Sequence, residues 1–479
     1  MDYYCDASPV RTGDLEIALG ESGVIQAVNQ NLIASSANRV VLGLGATGLS
    51  CARYFYRCGI AFTVVDTRSE PPRLQELLRE MPDVTVFLAD IPDAVIEGAS
   101  EIIVSPGLAL KEPLVMKARA AGVAVVGDID LFVREAKAPV IGITGSNAKS
   151  TVTEWVGEMA RESGLKVAVG GNLGTPALDL LAADIELYVV ELSSFQLERA
   201  GKLNLAVATV LNVTADHLDW HGNFPSYHRA KHKVFGGCQK AVANKDDPLV
   251  SPLVADSVEV VSWRLGDPEL RGFGTLSIEG AECLYHGFNQ LMPVAELGLL
   301  GRHNVANALA ALAIGHAAGL PMTAMVKTLR SFKGLPHRCQ FITKIAGVLY
   351  INDSKGTNPG ATEAALVGLG RNRNIVLIAG GVGKGADFSS LQDSVSSHCK
   401  KLILIGEAAQ EMAAVLENCT DTTAVDSLEQ AVKLAGATAL EGDCVLLSPA
   451  CASFDMFSGY VARGAAFIQA VAQLAGESQ

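Results

Sequence analysis

The chain has 479 residues, 49% hydrophobic and 6% aromatic, with 47 glycines and a formal net charge of −13. At roughly 150 residues per domain this length suggests about three domains, and an apolar, glycine-rich composition fits α/β architecture with parallel strands buried on both faces. The acidic balance argues against nucleic acid or an anionic membrane as a partner, while anionic substrates can still be held by local Lys, Arg and helix N-termini.

Residues 1–36 carry mixed polarity and little period and read as an N-terminal extension. From Arg39 the pattern sharpens. Val40–Leu42 predicts a strand, Gly43-Leu44-Gly45-Ala46-Thr47-Gly48 a turn, Leu49–Cys58 a helix, and Ala61–Val65 a second strand ending at Asp66. This is G-x-G-x-x-G with an acid beyond it, the dinucleotide fingerprint; alone it favours NAD, but the spacing requires only a diphosphate-sugar anion on the helix and a ribose or base on the acid. Further βα units run through Glu101–Ser105 and Val123–Val126, and residues 135–139 form a linker.

Next, the apolar run Pro139-Val140-Ile141 leads into Gly142-Ile143-Thr144-Gly145-Ser146-Asn147-Ala148-Lys149-Ser150-Thr151 and the helical pattern Val152–Arg161. A strand, a small-residue turn and a helix start gather backbone N–H groups and a positive dipole end, with Lys149 adding a charge and Ser150 or Thr151 a hydroxyl for Mg²⁺. The loop departs from the Walker spacing, since Ala148 stands where a Gly precedes the lysine. Two later strands, Leu187–Val190 and Ala206–Leu211, run into Glu191 and into Asp216-His217, at the carboxyl ends where open parallel sheets bind ligands. An acid and a histidine beside a phosphate loop have the composition of a Mg²⁺ and phosphoryl site. His228 and His232 sit four apart, a spacing that can chelate zinc, but without Glu after the first His they read as surface histidines. A third unit begins near Gly334-Leu335-Pro336-His337-Arg338, with strands Ile375–Ile378, Lys401–Ile405 and Asp443–Leu447 alternating with helices in another doubly wound sheet.

The ten cysteines are scattered singly, with no C-x-x-C pair and no secretory leader pattern, and read as reduced core thiols of a cytoplasmic protein. No apolar run reaches the roughly 18 to 20 residues that span a bilayer; the run at residues 306–318 is interrupted by His and Gly. No membrane association is expected.

Several segments together resemble the Mur ligases, ATP-dependent amide-forming enzymes of peptidoglycan precursor synthesis: Thr144–Thr151, Gly170-Gly171-Asn172, Glu191–Glu198, Asn212–Asp219, Gly301–Asn307, Gly334–Arg338, Asn352-Asp353-Ser354-Lys355 and Leu447–Ser453. Within the family, Asp66-Thr67-Arg68, Gly380–Phe388 and Ser448–Ser453 look like the member that adds D-glutamate to UDP-N-acetylmuramoyl-L-alanine. The resemblance covers residues from about 38 to 475. It implies three α/β domains: a Rossmann-like UDP-substrate domain (37–127), a central P-loop ATPase-like parallel sheet (128–334) and a Rossmann-like amino-acid domain (335–479).

The resemblance also implies roles. Gly145, Ser146, Asn147, Ala148, Lys149, Ser150 and Thr151, with Asn304, Asn307, His337, Arg338, Asp353 and Lys355, look like the ATP set; for the two asparagines, helix N-capping is the plainer reading. Ser150 and Glu191 correspond to a first Mg²⁺, His217 and Lys231 to a second, with Lys231 carbamylated; a carbamate is the oxygen ligand a hard cation prefers. Lys149, Glu191, His217 and Lys231 form the catalytic group. Thr47, Asp66, Thr67, Arg68, Ser105, Gly107 and Asn172 look like the UDP-substrate contacts, and His217, Thr357, Lys384, Ser453 and Tyr460 like the D-glutamate contacts. Ala148, Val382 and Tyr460 depart from the family pattern, and Ala148 is expected at negative φ, because a left-handed Ala costs about 1 to 2 kcal/mol.

The activity implied is phosphorylation of the substrate carboxylate by ATP and attack by the amine of D-glutamate, in a monomer serving cell-wall biogenesis, cell shape and division. The alternatives are another Mur-type or folylpolyglutamate-type amide ligase and, from a different class, an NAD-binding oxidoreductase. A hinge is expected within about five residues of Gly334, between the second and third domains.

Overall fold

The protein is described by a computed structural model that covers residues 24–25 and 38–477. Apart from Val24–Ile25, the expected extension lies outside the described residues. The chain divides into two compact units, residues 1–128 and 129–479.

The smaller unit is built on a six-stranded sheet in the order Val24–Ile25, Thr85–Leu88, Phe62–Asp66, Arg39–Leu42, Glu101–Val104, Ala124–Val126. All pairs are parallel except the first, which is antiparallel. Arg39–Leu42 sits at the switch point, with the second strand on one side and Glu101–Val104 on the other. Such a strand opens a crevice at its carboxyl end. The glycines there have distinct duties. Gly43 holds φ +96°, and a Cβ on Gly48 would fall 1.9 Å from the Gly43 carbonyl, so the turn into helix Ala46–Arg57 tolerates neither replacement.

The larger unit holds two sheets. Its nine-stranded sheet centres on Val140–Thr144, flanked by Val207–Val210 and Leu187–Glu191, with Val167–Gly171 beyond the latter. On the other side Lys240–Asn244 and Glu259–Trp263 continue the parallel sheet, which Phe273–Ile278, Ala281–His286 and Asn289–Pro293 extend as an antiparallel meander. Helices Lys149–Glu162 and Arg302–Ala317 cover this sheet, burying Trp155, Met159, Leu309 and Leu312 in one core. The apolar run at residues 306–318 is thus a core helix, and no helix among the described residues is long and apolar enough to cross a membrane.

The six-stranded sheet runs Gln340–Ile345, Val348–Asn352, Cys444–Leu447, Ile375–Gly380, Cys399–Ile405, Asp421–Ala424, with only the first pair antiparallel. Its central strands are fully buried on both faces, as apolar parallel strands require. The expected strands fall within a residue or two of those observed. Burial pushes the thiols of Cys399, Cys444 and Cys451 up to about 12, which makes them inert core groups.

Candidate active site

The two sheets of the larger unit face a cavity of about 650 Å³ with their strand ends and loops. At its centre, strand Val140–Thr144 turns through residues 145–148 into helix Lys149–Glu162. Ser146 and Asn147 are pinned from below. The Ser146 hydroxyl bonds the Thr214 backbone at 2.9 to 3.0 Å and Tyr227 Oη at 2.8 Å, and the Asn147 N–H donates to Asn212 Oδ1 at 2.8 Å. Ala148 overturns one expectation: it adopts φ 65°, ψ −7°, the left-handed region, as the residue that opens the helix. The loop can present successive N–H groups to an anion only by reversing hand here, so Ala148 bears a cost of about 1 to 2 kcal/mol that Gly would avoid.

Lys149 lies against the loop, its ammonium donating to the carbonyls of Gly145 at 2.9 Å and Ser146 at 3.0 Å. Burial lowers its pKa, against the pull of Glu191 and Asp216. Glu191, at the end of strand Leu187–Glu191, is 2% exposed and fully engaged. Its Oε2 accepts from Ser150 Oγ at 2.5 Å and its Oε1 from Asn172 Nδ2 at 2.6 Å. A hydroxyl and a carboxylate oxygen side by side are the hard donors that would suit Mg²⁺.

Lys231 is no solvated surface charge: it is 2% exposed, on helix Phe224–His232. Its Nζ donates to the Gly145 carbonyl at 2.7 Å and sits 4.5 Å from the Tyr227 ring centroid. Burial first, and the nearby Lys149 second, push its pKa well below the usual lysine value, a shift toward the neutral amine. His217 opens helix Leu218–His221 at φ 53°, with Nε2 3.6 Å from Asp216 Oδ2 and its ring 4.8 Å from that of Phe195. Burial lowers its pKa, with Asp216 pulling the other way.

The far wall comes from the segment after Gly334. Arg338 donates to Ser150 Oγ at 2.6 Å. Asp353 is buried, accepting from Ser448 Oγ at 2.7 Å and the Cys339 N–H at 3.1 Å, and burial raises its pKa to about 6. Lys355 lies 4.7 Å from the Tyr460 ring centroid, with its pKa brought down to about 8, first by burial and then by Arg338. Thr357, Lys384, Ser453 and Tyr460 complete this wall, and Asn304 and Asn307 line the cavity from the covering helix. Those asparagines do not cap it. Gly301 is the capping position; Asn304 donates to the Leu300 carbonyl at 2.7 Å and Asn307 to Asn304 Oδ1 at 3.1 Å, so both amides spend donors rather than satisfy the helix N–H groups. Gly145 lies in the phosphate loop, its carbonyl shared by Lys149 and Lys231, while the His337 carbonyl accepts from the Lys355 N–H at 3.0 Å and its Nδ1 meets Asn352 Nδ2 at 3.0 Å.

Six of the seven expected UDP contacts lie in the smaller unit, while Asn172 belongs to the larger, beside Glu191. Asp66 Oδ2 accepts from the Leu44 N–H at 2.7 Å, and Arg68 grips both carboxylate oxygens at 2.7 and 2.8 Å. Burial opposes ionisation, but Arg68 and the Leu44 N–H together hold the pKa below the usual Asp value. Ser105 Oγ donates to the Gly43 carbonyl at 2.7 Å. With both oxygens committed, Asp66 is poorly placed to take the two ribose hydroxyls of NAD.

Sequence reasoning passed over two residues. Asn358 caps helix Pro359–Leu369 through Oδ1, and its amide reaches Asn147 Oδ1 at 3.3 Å and Asp216 Oδ2 at 3.2 Å. Arg463, 1% exposed, spends its guanidinium on Ser354 and on the carbonyls of Gly380, Cys451 and Ala452, tying together the loops that carry Lys355, Lys384 and Ser453. The Asn-Pro start of a helix was the available signal for Asn358; an arginine inside a helical pattern gave none for Arg463.

A phosphate loop, a paired Ser and Glu, and lysines on facing walls define a nucleotide-dependent phosphoryl-transfer site of the ligase type. Consecutive segments match three family models: Mur ligase MurD-like, N-terminal domain over residues 37–127, Mur ligase middle domain over 143–315, and Mur ligase, glutamate ligase domain over 337–451. The UDP-N-acetylmuramoylalanine--D-glutamate ligase of Pseudomonas aeruginosa is 51% identical over 447 residues, covering 93% of this chain and all of that protein. The ligase of the same name from Pseudomonas savastanoi pv. phaseolicola is 52% identical over 443 residues, 92% of this chain and 99% of its own. Among solved structures, UDP-N-acetylmuramate-alanine ligase MurC from Thermotoga maritima shares the fold at TM-score 0.55 and 18% identity, covering 91% of this chain and 99% of that one. The chain belongs to the Mur ligase family and is an ATP-dependent, amide-forming ligase.

Proposed function

We propose that the protein joins D-glutamate to UDP-N-acetylmuramoyl-L-alanine at the expense of ATP in peptidoglycan synthesis. The observation that carries this reading is the single cavity on which Lys149, Glu191, Lys231, Lys384 and Ser453 converge from two sheets. The relatives named for this reaction match nearly the whole chain.

A carboxylate resists an amine because its charge repels the nucleophile and its oxygen leaves badly. Phosphorylation removes both faults. A carboxylate oxygen of the UDP-substrate attacks the γ-phosphorus, the bond to ADP breaks, and the amine nitrogen then displaces phosphate from the acyl carbon, its surplus proton leaving with the phosphate or to solvent. The N–H groups of residues 145–151 hold the β,γ-phosphates, with Lys149 leaving its loop carbonyls to follow the charge and Arg338 closing from the opposite wall. Ser150 and Glu191 would hold one Mg²⁺, and His217 with a carbamylated Lys231 a second. When bound, these ions neutralise phosphate charge. Lys384, Ser453, Thr357, His217 and Tyr460 hold the glutamate, whose two carboxylates require a lysine and several hydroxyl or N–H donors. Asn304, Asn307, His337, Asp353 and Lys355 fix the rest of the nucleotide. The crevice of residues 37–127, with Thr47, Asp66, Thr67, Arg68, Ser105 and Gly107, takes the UDP moiety, and Asn172 the muramoyl-alanine arm. In this reading the protein works as a monomer in the cytoplasm.

The test is phosphate release with components omitted in turn. Turnover should need ATP, Mg²⁺, UDP-N-acetylmuramoyl-L-alanine and D-glutamate together. Equal rates with L-glutamate or meso-diaminopimelate would refute the assignment.

A further inference from the structure

Helix Pro359–Leu369 carries Gly360, Ala364 and Gly368 four apart, so the three share one ridge, and small residues let that ridge approach its neighbours closely. A Cβ on Gly360 would lie 3.0 Å from Thr214 Oγ1 and 3.4 Å from Asn147 Nδ2. A Cβ on Gly368 would lie only 2.0 Å from Nδ1 of His303. The ridge thus meets the phosphate-loop wall at one end and helix Arg302–Ala317 at the other. Asn358 adds its amide links to Asn147 and Asp216 at the first end. At the second end the imidazole of His303 makes the contact.

His303 stands in the first turn of helix Arg302–Ala317, and glycine flanks its ring on both sides. A Cβ on Gly301, which holds φ +98°, would lie 2.8 Å from its Cε1. Nδ1 is sealed from solvent, and burial brings the pKa down to about 4 against a hydrogen bond with the Ala364 backbone. A neutral ring enters such a contact without desolvating a charge. Alanine forms helix better than glycine by about 0.5 to 1 kcal/mol, so the glycine at 368 is explained by the room it leaves. The residue after His303 is Asn304, which lines the cavity and accepts from Asn307 Nδ2 at 3.1 Å. The depth to which the imidazole sinks into the ridge therefore sets where these two amides stand relative to Asp353 and Lys355 opposite. Misplacement of a site by about 1 Å costs on the order of 100-fold.

We infer that His303 is a positioning residue: seated on Ala364 between Gly301 and Gly368, its imidazole fixes the register of the two cavity walls and so aims Asn304 and Asn307 at the nucleotide. The inference rests on the nucleotide reading of those asparagines given above.

The test uses the full chain as wild type, Gly368→Ala, His303→Ala and the double variant, all in excess Mg²⁺. Calorimetric titration with AMP-PNP reads affinity without reference to the amino acid joined. In Gly368→Ala the new methyl meets Nδ1 and drives the ring out, so AMP-PNP affinity should fall about tenfold, within the coupling that residues in contact show. His303→Ala should lose a similar factor. In the double variant the methyl meets open space, and affinity should fall no further than in His303→Ala alone. His303→Asn, which returns a polar group near the place of Nδ1, should recover part of the affinity, and it carries the test if Gly368→Ala does not fold. Wild-type affinity in both His303 variants, or losses that multiply in the double variant, would overturn the inference. So would a lowered unfolding temperature with AMP-PNP affinity unchanged, which would leave His303 a packing group. Failure of the wild type itself to bind AMP-PNP would refute the nucleotide reading, and the inference with it.

Discussion

Arg338 Nη2 donates to Ser150 Oγ over 2.6 Å, and Ser150 in turn donates to Glu191 Oε2 over 2.5 Å, so the segment after Gly334 is wired to the carboxylate at the heart of the phosphate site. Charge-assisted hydrogen bonds are worth about 1.5 to 3 kcal/mol. Arg338→Ala should therefore lower kcat/KM for ATP by about 10- to 100-fold, and Arg338→Lys should recover little, because an ammonium lacks the planar fork. Steady-state kinetics at saturating second substrates decide this. A loss under about threefold would leave the contact a packing detail.

Lys231→Ala should lose most activity, and formate or acetate should restore part of it by supplying an oxygen ligand where the carbamate would stand. The low amine pKa caused by burial favours the uncharged form that reacts with CO₂. Rates in CO₂-depleted buffer, with and without added bicarbonate, give an independent readout. Near-normal turnover in the untreated variant would reduce Lys231 to a partner of the Gly145 carbonyl.

Ala148 and the hairpins show where the sequence was not legible. The apolar parallel strands and the polar residues at their carboxyl ends could be read directly, because burial on both faces leaves an unbroken apolar run followed by an abrupt change, as at Val190–Glu191. The meander from Phe273 to Pro293 escaped notice. Its first turn is Glu279-Gly280, both at positive φ, and Ala346-Gly347 repeats the pattern before Val348. Hairpin turns of this kind announce themselves through Asn-Gly or Asp-Gly, and here Glu and Ala stand in the first place. Side-chain convergence across 188 residues, as between Ser150 and Arg338, had no local signature at all and came only through the family motifs.

The left-handed Ala148 gives a stability prediction. Glycine removes about 1 to 2 kcal/mol of steric cost and adds roughly 0.5 to 1 kcal/mol of unfolded-state entropy. Ala148→Gly should thus raise stability by up to about 1 kcal/mol and keep ATP affinity, while Ala148→Val should lower both. Urea denaturation with nucleotide titration checks the pair. A clear loss of stability in the glycine variant would contradict the strained conformation.

Asp353 carries a pH signature. Its folded pKa of about 6 stands above the ordinary 3.8, so the folded state binds a proton more readily than the unfolded chain. Its contribution is then fully present below about pH 4 and is lost as pH rises through about 6, by an amount on the order of 3 kcal/mol. Asp353→Asn should cancel that loss. The stability difference between variant and wild type should grow in the variant's favour from pH 4 to 7, apart from a constant offset for the bonds to Ser448 and Cys339. A difference that stays flat across this range would show that Asp353 is ionised at its normal value.

The last prediction concerns motion about Gly334. Phosphate-loop residues precede this glycine, and Arg338, Asp353, Lys355, Lys384 and Ser453 all follow it, so attack on an acyl phosphate requires the two segments to meet. The polar links across the cavity include Arg338 to Ser150, Asn358 to Asn147 and Asp216, and His303 to the Ala364 backbone. The links to a charged group contribute about 1.5 to 3 kcal/mol each and the neutral ones about 0.5 to 1.5 kcal/mol, amounts that substrate binding can offset. Gly334 holds φ +80° between helix Met322–Ser331 and strand Gln340–Ile345, a conformation other residues enter at a cost, and loop positions of this sort absorb hinge rotation. Spin labels at exposed Arg161 and Glu417, with Cys58 replaced, should report a broad distance distribution in the free protein that narrows when an ATP analogue and the UDP-substrate are added. Asn358→Ala should broaden the liganded distribution and raise KM for both substrates. Identical distributions with and without ligands, in a fully active sample, would establish a preformed site and remove the hinge.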